Sequence, residues 1–267
     1  MSSYLIAPAS AEDIISLKSQ YLSQVTAPLD GMWQAFESMA NHYKISHIDQ
    51  MVGYCTVNDE QKLLEFFTVA GHDAREIFHQ ILTQTKIIGA FVATCDAPSL
   101  SLCLDHQNSV SVNALMYHVD EDTHVPSAIF EEGTDFTLLN KSDLETAIIF
   151  TSETLGAEPD WLRGYYKNLI AEDMLHGLWQ AGKLIAVGEC RPSATQKLYA
   201  DLGMIVSQKH RKQGLATNIL RHLIHLCNEQ GLKPICSTEA SNIDAQKAIS
   251  NAGFTSYHRI LEVTFSN

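Results

Sequence analysis

This chain of 267 residues is short of several things. No apolar run approaches the ~18–20 residues that a membrane-spanning helix needs. The N-terminal Met-Ser-Ser-Tyr has no basic region followed by an apolar stretch, so no membrane partner and no secretory signal peptide are expected. No Gly/Ser-rich or Pro-rich tract interrupts the chain. Cysteine occurs six times (Cys55, Cys95, Cys103, Cys190, Cys227, Cys236) but never at Cys-x-x-Cys spacing, which removes the common zinc and dithiol motifs. Several of the six fall in apolar periodic segments, where a free cysteine behaves as a small hydrophobe, so a reduced, cytoplasmic protein is expected. Positive charge is also scarce. Against 31 Asp and Glu there are 18 Lys and Arg, giving a net charge of −13. Residues 1–130 hold 5 of those cations and 15 of the acids. Nucleic-acid phosphates need clustered Lys and Arg, so no nucleic-acid partner is expected. An acidic surface favours solubility and attracts cationic substrates.

What is present is a regular succession of strands and helices. In the second half Thr134–Leu139 alternates as a strand, and Ser142 and Asp143 precede a helical run over 144–155. Pro159 opens another helix over about 160–172. Gln180-Ala181-Gly182-Lys183 reads as a hairpin turn between strands 177–179 and 184–189. A strand over 198–206 leads to a helix over about 212–230 that brings Ala216, Ile219, Leu220, Leu223 and Cys227 to one face. A strand at 234–238, a short helix capped by Asn242 and closed by Gly253, and a strand at 255–265 complete the half. The first half repeats this order more faintly. It reads as strand and helix over 5–25, a helix at 33–43, a hairpin of 50–57 with 62–69, a helix at 73–85, a strand at 87–94, a helix at 98–106 and a strand at 110–118. Two halves with one order of elements point to duplication. A polar, proline-containing segment at 121–134 places the boundary between domains 1–130 and 131–267.

The most informative stretch is Val206-Ser-Gln-Lys-His-Arg-Lys-Gln-Gly-Leu-Ala-Thr217. A strand ends in a basic turn, and a long helix begins beside a glycine. The first N–H groups of such a helix lack intrahelical acceptors and lie at the positive end of its dipole. Gly214 lets a ligand approach the backbone, with Lys209, Arg211 and Lys212 alongside. Diphosphate suits this arrangement. The Gly-Lys-Ser/Thr ending of a nucleotide P-loop is missing, as are the further glycines of a dinucleotide fingerprint.

With these residues in view, the second half resembles the GNAT superfamily of acetyltransferases. The family's Arg/Gln-x-x-Gly-x-Gly/Ala signature is matched by Arg211-x-x-Gly214-x-Ala216, and its preceding valine by Val206. Its second signature is matched by Asn242, Ala245 and Gly253-Phe254. The resemblance covers roughly 131–267. It implies an α+β fold of two mixed domains, each a mostly antiparallel central sheet flanked by helices, the first a degenerate copy. It also implies acetyl-CoA as co-substrate, no metal, and transfer of an acetyl group to a small-molecule or other amine in a ternary complex. On this resemblance the backbone of Met204, Ile205 and Val206 pairs with the pantetheine arm. Backbone N–H groups of Arg211, Lys212, Gln213, Gly214, Leu215, Ala216 and Thr217 cradle the pyrophosphate. Asn242 lies near the distal part of the cofactor, and Lys247 reaches a phosphate.

The acid–base half of the chemistry is less legible. An ammonium of pKa near ~10 must lose a proton before it attacks a thioester. Glu239 and Asp201 are the first candidate bases, with Glu189 on the neighbouring hairpin as a third. Strict alternation puts Asp201 on the face opposite Met204 and Val206, unless a bulge reverses the parity. The tyrosine that many relatives use as acid is replaced by Ile249, leaving Tyr257, Ser250 or water. Trp161, Tyr165 and Tyr166 occupy the segment that covers the acceptor in relatives, and core packing is the competing role. His222 and His225 share a helix face, with no acidic or cysteine partner to complete a metal site. The approach to the 73–85 helix, Thr68-Val-Ala-Gly-His-Asp-Ala-Arg75, has neither the signature nor a basic cluster, so no coenzyme A is expected there. Two other functions fit the same signatures, a non-catalytic acyl-CoA sensor and an aminoacyl-tRNA-dependent transferase.

Overall fold

The structure is a computed structural model that describes residues 4–266. Its first half runs β1 (Leu5–Ala9), α1 (Ala11–Gln24), α2 (Gly31–Ser38), β2 (Asn41–His47), β3 (Gln50–Val57), β4 (Lys62–Thr68), α3 (Ala74–Gln84), β5 (Gly89–Ala93), α4 (Ala97–Asp105) and β6 (Gln107–His118). The second runs β7 (Thr134–Leu138), α5 (Leu144–Leu155), α6 (Pro159–Ala171), β8 (Leu175–Gln180), β9 (Lys183–Pro192), β10 (Tyr199–Val206), α7 (Leu215–Glu229), β11 (Lys233–Glu239), α8 (Ile243–Ala252) and β12 (Thr255–Phe265). The order of strands and helices is the same in both.

Contacts divide the chain differently from its sequence order. Residues up to Met116, together with those from Ser256 on, form one compact unit, and Tyr117–Thr255 forms the other. The last strand, grouped by sequence with 131–267, is therefore part of the first unit. There the strands lie in the order β1-β2-β3-β4-β5-β12-β6. β12 pairs antiparallel with β5 from Ile260↔Ala93 to Thr264↔Gly89, and the Ser256 hydroxyl donates to the Met116 carbonyl at 2.7 Å. Ile260, Val263 and Phe265 are buried, Val263 completely.

The second unit has the strand order β11-β10-β9-β8-β7. Only the β10–β11 pair is parallel. The first unit repeats this arrangement, with β4 and β5 as its parallel pair. In both units that parallel ladder is short. It covers Lys62–Leu63 against Gly89–Ala90 in the first and Tyr199–Asp201 against Lys233–Ile235 in the second. Beyond it the strands diverge.

Each sheet buries its two faces under helices. On one face of the second sheet, Ala147 and Ile148 of α5 and Leu162, Tyr166, Leu169 and Ile170 of α6 pack with Leu175 and Val187. On the other lies α7, which buries Ile219, Leu220, Leu223, Ile224 and Cys227 at helical spacing. The helix comes so close to β9 that a Cβ on Gly188 would stand 2.8 Å from Ile219 Cγ2 and 3.2 Å from Leu223 Cδ1. A side chain at that position would have to displace the side chains of Ile219, Leu223 and Phe136.

Two expected elements differ. The helix expected over 33–43 stops at Ser38, and Asn41–His47 is strand β2, paired antiparallel with β3. The turn between them is Ile48-Asp49, both at positive φ (48° and 62°). A two-residue hairpin of this kind ordinarily announces itself with Asn-Gly, and here no glycine marks it. The helix expected from about Lys212 starts only at Leu215, because Lys212 and Gly214 both take positive φ.

Candidate functional site

The divergence of β10 from β11 exposes one side of a strand. Along β9, β10 keeps an uninterrupted antiparallel register from Ala200↔Pro192 to Val206↔Ala186, and the Ser207 N–H extends it by donating to the Ile185 carbonyl at 3.0 Å. Residues 201, 203, 205 and 207 thus bond to β9. The backbone groups of Met204 and Val206 are aimed the other way, to the side from which β11 has departed. The Val206 carbonyl accepts from Arg211 Nε at 3.3 Å, so the arginine folds its turn back onto the strand end.

That turn is built around positive φ. Arg211 has φ −69°, Lys212 +62° and Gly214 +79°. The Arg211 N–H is spent on the Gln208 carbonyl at 3.5 Å, which takes it out of the expected cradle. No side chain caps α7. Among the described residues, no acceptor takes the N–H groups of Leu215, Ala216 or Thr217. Arg211, Lys212, Gln213 and Gly214 are exposed. A non-glycine residue held at positive φ costs on the order of 1 kcal/mol, and such strain concentrates at ligand sites.

The second signature has a local structural reason as well. Asn242 Oδ1 caps α8 by accepting from the Ala245 N–H at 3.2 Å. Thr217 of α7 donates to the Ala248 carbonyl of α8 at 3.2 Å, joining the two helices. Lys247 is exposed on α8. Ile249, standing where an acid was sought, is buried.

The candidate acids and bases separate. Glu239, at the end of β11, is exposed and accepts from the Ser241 hydroxyl at 3.2 Å. Asp201 is 4 % exposed and is ion-paired with Arg191. The unbroken β9–β10 register provides no bulge, so Asp201 stays on the face opposite Met204 and Val206. Tyr257 is an exposed residue of β12, which groups with the first unit. A feature that the sequence reading did not assemble lies on the α5/α6 side of β9 and β10. There the Tyr165 hydroxyl donates to Glu189 Oε2 at 2.7 Å, and Arg191 Nε lies 3.3 Å from the same oxygen. Burial and the charge of Glu189 push the Tyr165 phenol well above its ordinary range, so it remains a protonated donor. The three aromatic residues of α6 also part company. Trp161 is 50 % exposed and stacks on Tyr165 at 4.9 Å. Tyr166 belongs to the core, its hydroxyl 2.7 Å from that of Thr151.

His222 packs edge-on against Phe136 at 5.1 Å, and Phe136 stacks on His176 at 5.4 Å. Burial, then the neighbouring His222, pushes His176 down to about 4. Among the described residues no group of three or more His, Cys, Asp or Glu side chains is placed to hold a metal ion. No described helix is long and apolar enough to cross a membrane.

The head of α3, the first unit's counterpart of α7, is closed differently. Asp73 Oδ1 accepts from the N–H groups of Arg75 and Glu76 at 3.0 and 3.2 Å. A carboxylate of the chain itself fills the position that is uncapped on α7.

Comparison with known proteins gives a family for both halves of the chain. Residues 10–120 match the family model described as the acetyltransferase (GNAT) domain, and residues 144–254 match the acetyltransferase (GNAT) family. No functionally curated protein matches the chain. Among solved structures, a GNAT-family acetyltransferase from Colwellia psychrerythraea is 38 % identical, with 98 % of this chain and all of that one covered and a TM-score of 0.92. A tandem GNAT protein from the clavulanic acid biosynthesis pathway shares the fold at 13 % identity, with 99 % of both chains covered and a TM-score of 0.69. A GCN5-related N-acetyltransferase from Sphaerobacter thermophilus shares it at 11 % identity, covering 97 % of this chain and 94 % of its own, with a TM-score of 0.67. The chain belongs to the GNAT acetyltransferase family and carries two GNAT domains in tandem.

Proposed function

We propose that the protein is an acetyl-CoA-dependent N-acetyltransferase that passes an acetyl group to an amine by direct attack in a ternary complex. The observation that carries this reading is a coincidence in the second unit. The strand whose backbone groups face an open side, at Met204 and Val206, runs directly into an uncapped helix N-terminus at Leu215–Thr217. An extended amide-bearing arm suits the first, as an added strand does. A diphosphate suits the second. Residues Lys212, Gln213, Gly214, Leu215, Ala216 and Thr217 hold the phosphates, with Asn242 and Lys247 at the distal end of the cofactor. The N–H groups aimed into the open side of β10 are positioned to stabilise charge on the thioester oxygen as it develops.

The first unit does not hold a second acetyl-CoA in this reading. Asp73 already satisfies the donors at the head of α3, and its negative charge opposes a phosphate there. The acceptor is a small-molecule amine, and neither nucleic acid nor a membrane takes part. All six cysteines are free and buried, which suits a reducing, cytoplasmic setting.

Titration calorimetry of the full chain with acetyl-CoA tests the reading. One site per chain is expected, and Gly214→Asp, which gives α7 the anionic cap that α3 has, is expected to weaken Kd at least tenfold. Absence of binding by the unaltered protein, or undiminished binding by the variant, contradicts it.

A further inference from the structure

On the face of β9 and β10 that packs under α5 and α6, four side chains form a connected polar group beside the open strand. Glu189 lies opposite Gly203 and Arg191 opposite Asp201 in the antiparallel register. Because residue 203 has no side chain, the Glu189 carboxylate rests against the β10 backbone, its Oε2 3.5 Å from where a Cβ would be. That contact is one residue from Met204. Both of its described partners, Tyr165 Oη at 2.7 Å and Arg191 Nε at 3.3 Å, converge on Oε2. No described group donates to Oε1. Arg191 is committed on both sides, to Glu189 and to Asp201. The half-exposed indole of Trp161 stacks on the Tyr165 ring, 4.9 Å between centroids and 16° between planes.

Resting on the acetyltransferase reading, we infer that Glu189 binds the acceptor's ammonium through Oε1 and takes its proton, and that the acceptor is a primary amine on an aromatic or alkyl body with no carboxylate of its own. A carboxylate beside an aromatic face is a receptor for a cation. Here the one guanidinium nearby is already shared between two carboxylates, so a carboxylate on the substrate meets Glu189 and Asp201 with nothing left to pair it. Tyr165 is a positioning residue. It holds Oε2 and leaves Oε1 to the substrate. Asp201 balances the charge of Arg191 rather than acting as the base. Trp161 supplies the wall for the body of the amine. In the transfer, Glu189 accepts one proton from the ammonium, and the freed nitrogen lone pair forms the C–N bond as the thioester C–S bond breaks. The thiolate takes the remaining departing proton to become a thiol, and Glu189 returns its own to water.

The test compares phenethylamine with phenylalanine, which differ by one carboxylate, in steady-state acetylation by the full-length protein. Phenethylamine is expected to be acetylated with kcat/KM at least a hundredfold above phenylalanine. Glu189→Gln is expected to lower kcat/KM for phenethylamine by ~10²–10⁴, the range of a positioned base. It is also expected to leave a rate that rises with pH in proportion to hydroxide, a slope that a merely structural defect does not produce. Trp161→Ala, at an exposed position, leaves folding intact and is expected to raise KM about tenfold at unchanged kcat. Equal use of the two amines overturns the proposal, and so does a folded Glu189→Gln protein within threefold of the original at every pH. Acetyl-CoA binding without turnover of either amine overturns it too, while leaving the cofactor site in place. Failure to bind acetyl-CoA at all removes the underlying reading instead.

Discussion

Gly214 and Asp73 stand at the heads of corresponding helices, and the difference between them is a carboxylate. At Asp73 it accepts from two N–H groups of α3. At Gly214 the backbone turns left-handed and leaves the head of α7 uncapped. Asp73→Ala is expected to cost the first unit about 1 kcal/mol, the usual loss of a side-chain cap, read as a lower denaturation midpoint. A second residue-scale test concerns Gly188, where a methyl group would press on Ile219 and Leu223. Gly188→Ala is expected to destabilise the second unit by about 1–3 kcal/mol through overpacking, measured by denaturant unfolding. Legibility at this scale was uneven. The turn Arg211–Gly214 and the cap Asn242 stood out in the sequence because their residue types are tied to φ and to capping. The contact of Glu189 with Tyr165 and Arg191 did not. It depends on the β9–β10 register and on the placement of α6, neither of which one sequence specifies. The same register puts Asp201 on the face it shares with Glu189, its carboxylate ion-paired with Arg191.

At the scale of elements, the strand and helix order was largely readable from periodicity, and its departures have local causes. β2 was missed because its hairpin turns through Ile48-Asp49 without a glycine. The 255–265 strand was recognised, but its partners were not, because alternation gives a strand's faces and not its neighbours. Its place between β5 and β6 has a consequence for truncation. Ending the chain at Phe254 deprives the first unit of buried Ile260, Val263 and Phe265. At about 1.5–3 kcal/mol for each such side chain, that loss rivals the whole stability of a domain. The shortened chain is expected to lose protection from amide exchange in β5, while α7 retains it. Unchanged protection in β5 would mean that β12 is dispensable.

Across the whole molecule the two units answer pH in opposite directions. In the first unit, burial above all pushes Glu65 up to about 7, with Lys18 drawing it down and Glu37 raising it. The folded unit thus keeps a proton that the unfolded chain gives up near pH 4.5. This contribution is complete below that pH and is lost as pH rises toward 7. In the second unit His176 lies low, at about 4, so the folded unit refuses a proton that the unfolded chain takes up near ~6.5. Its contribution, on the order of 3 kcal/mol, is present above that value and disappears as pH falls toward 4. Amide exchange between pH 5 and 8 is expected to show Glu65→Gln flattening the alkaline loss in β4. Variants of His176 are expected to flatten the acid loss in β8. Charge is also unevenly divided, with 13 of the 18 cations in residues 131–267 and the basic turn among them. The central claim is that one of two corresponding helix heads holds the acetyl donor, and amide hydrogen exchange of the full chain with and without acetyl-CoA tests it most directly. New protection is expected at Met204, Val206 and Leu215–Thr217, with none at Arg75 and Glu76. Protection at the head of α3, or none at the head of α7, would contradict it.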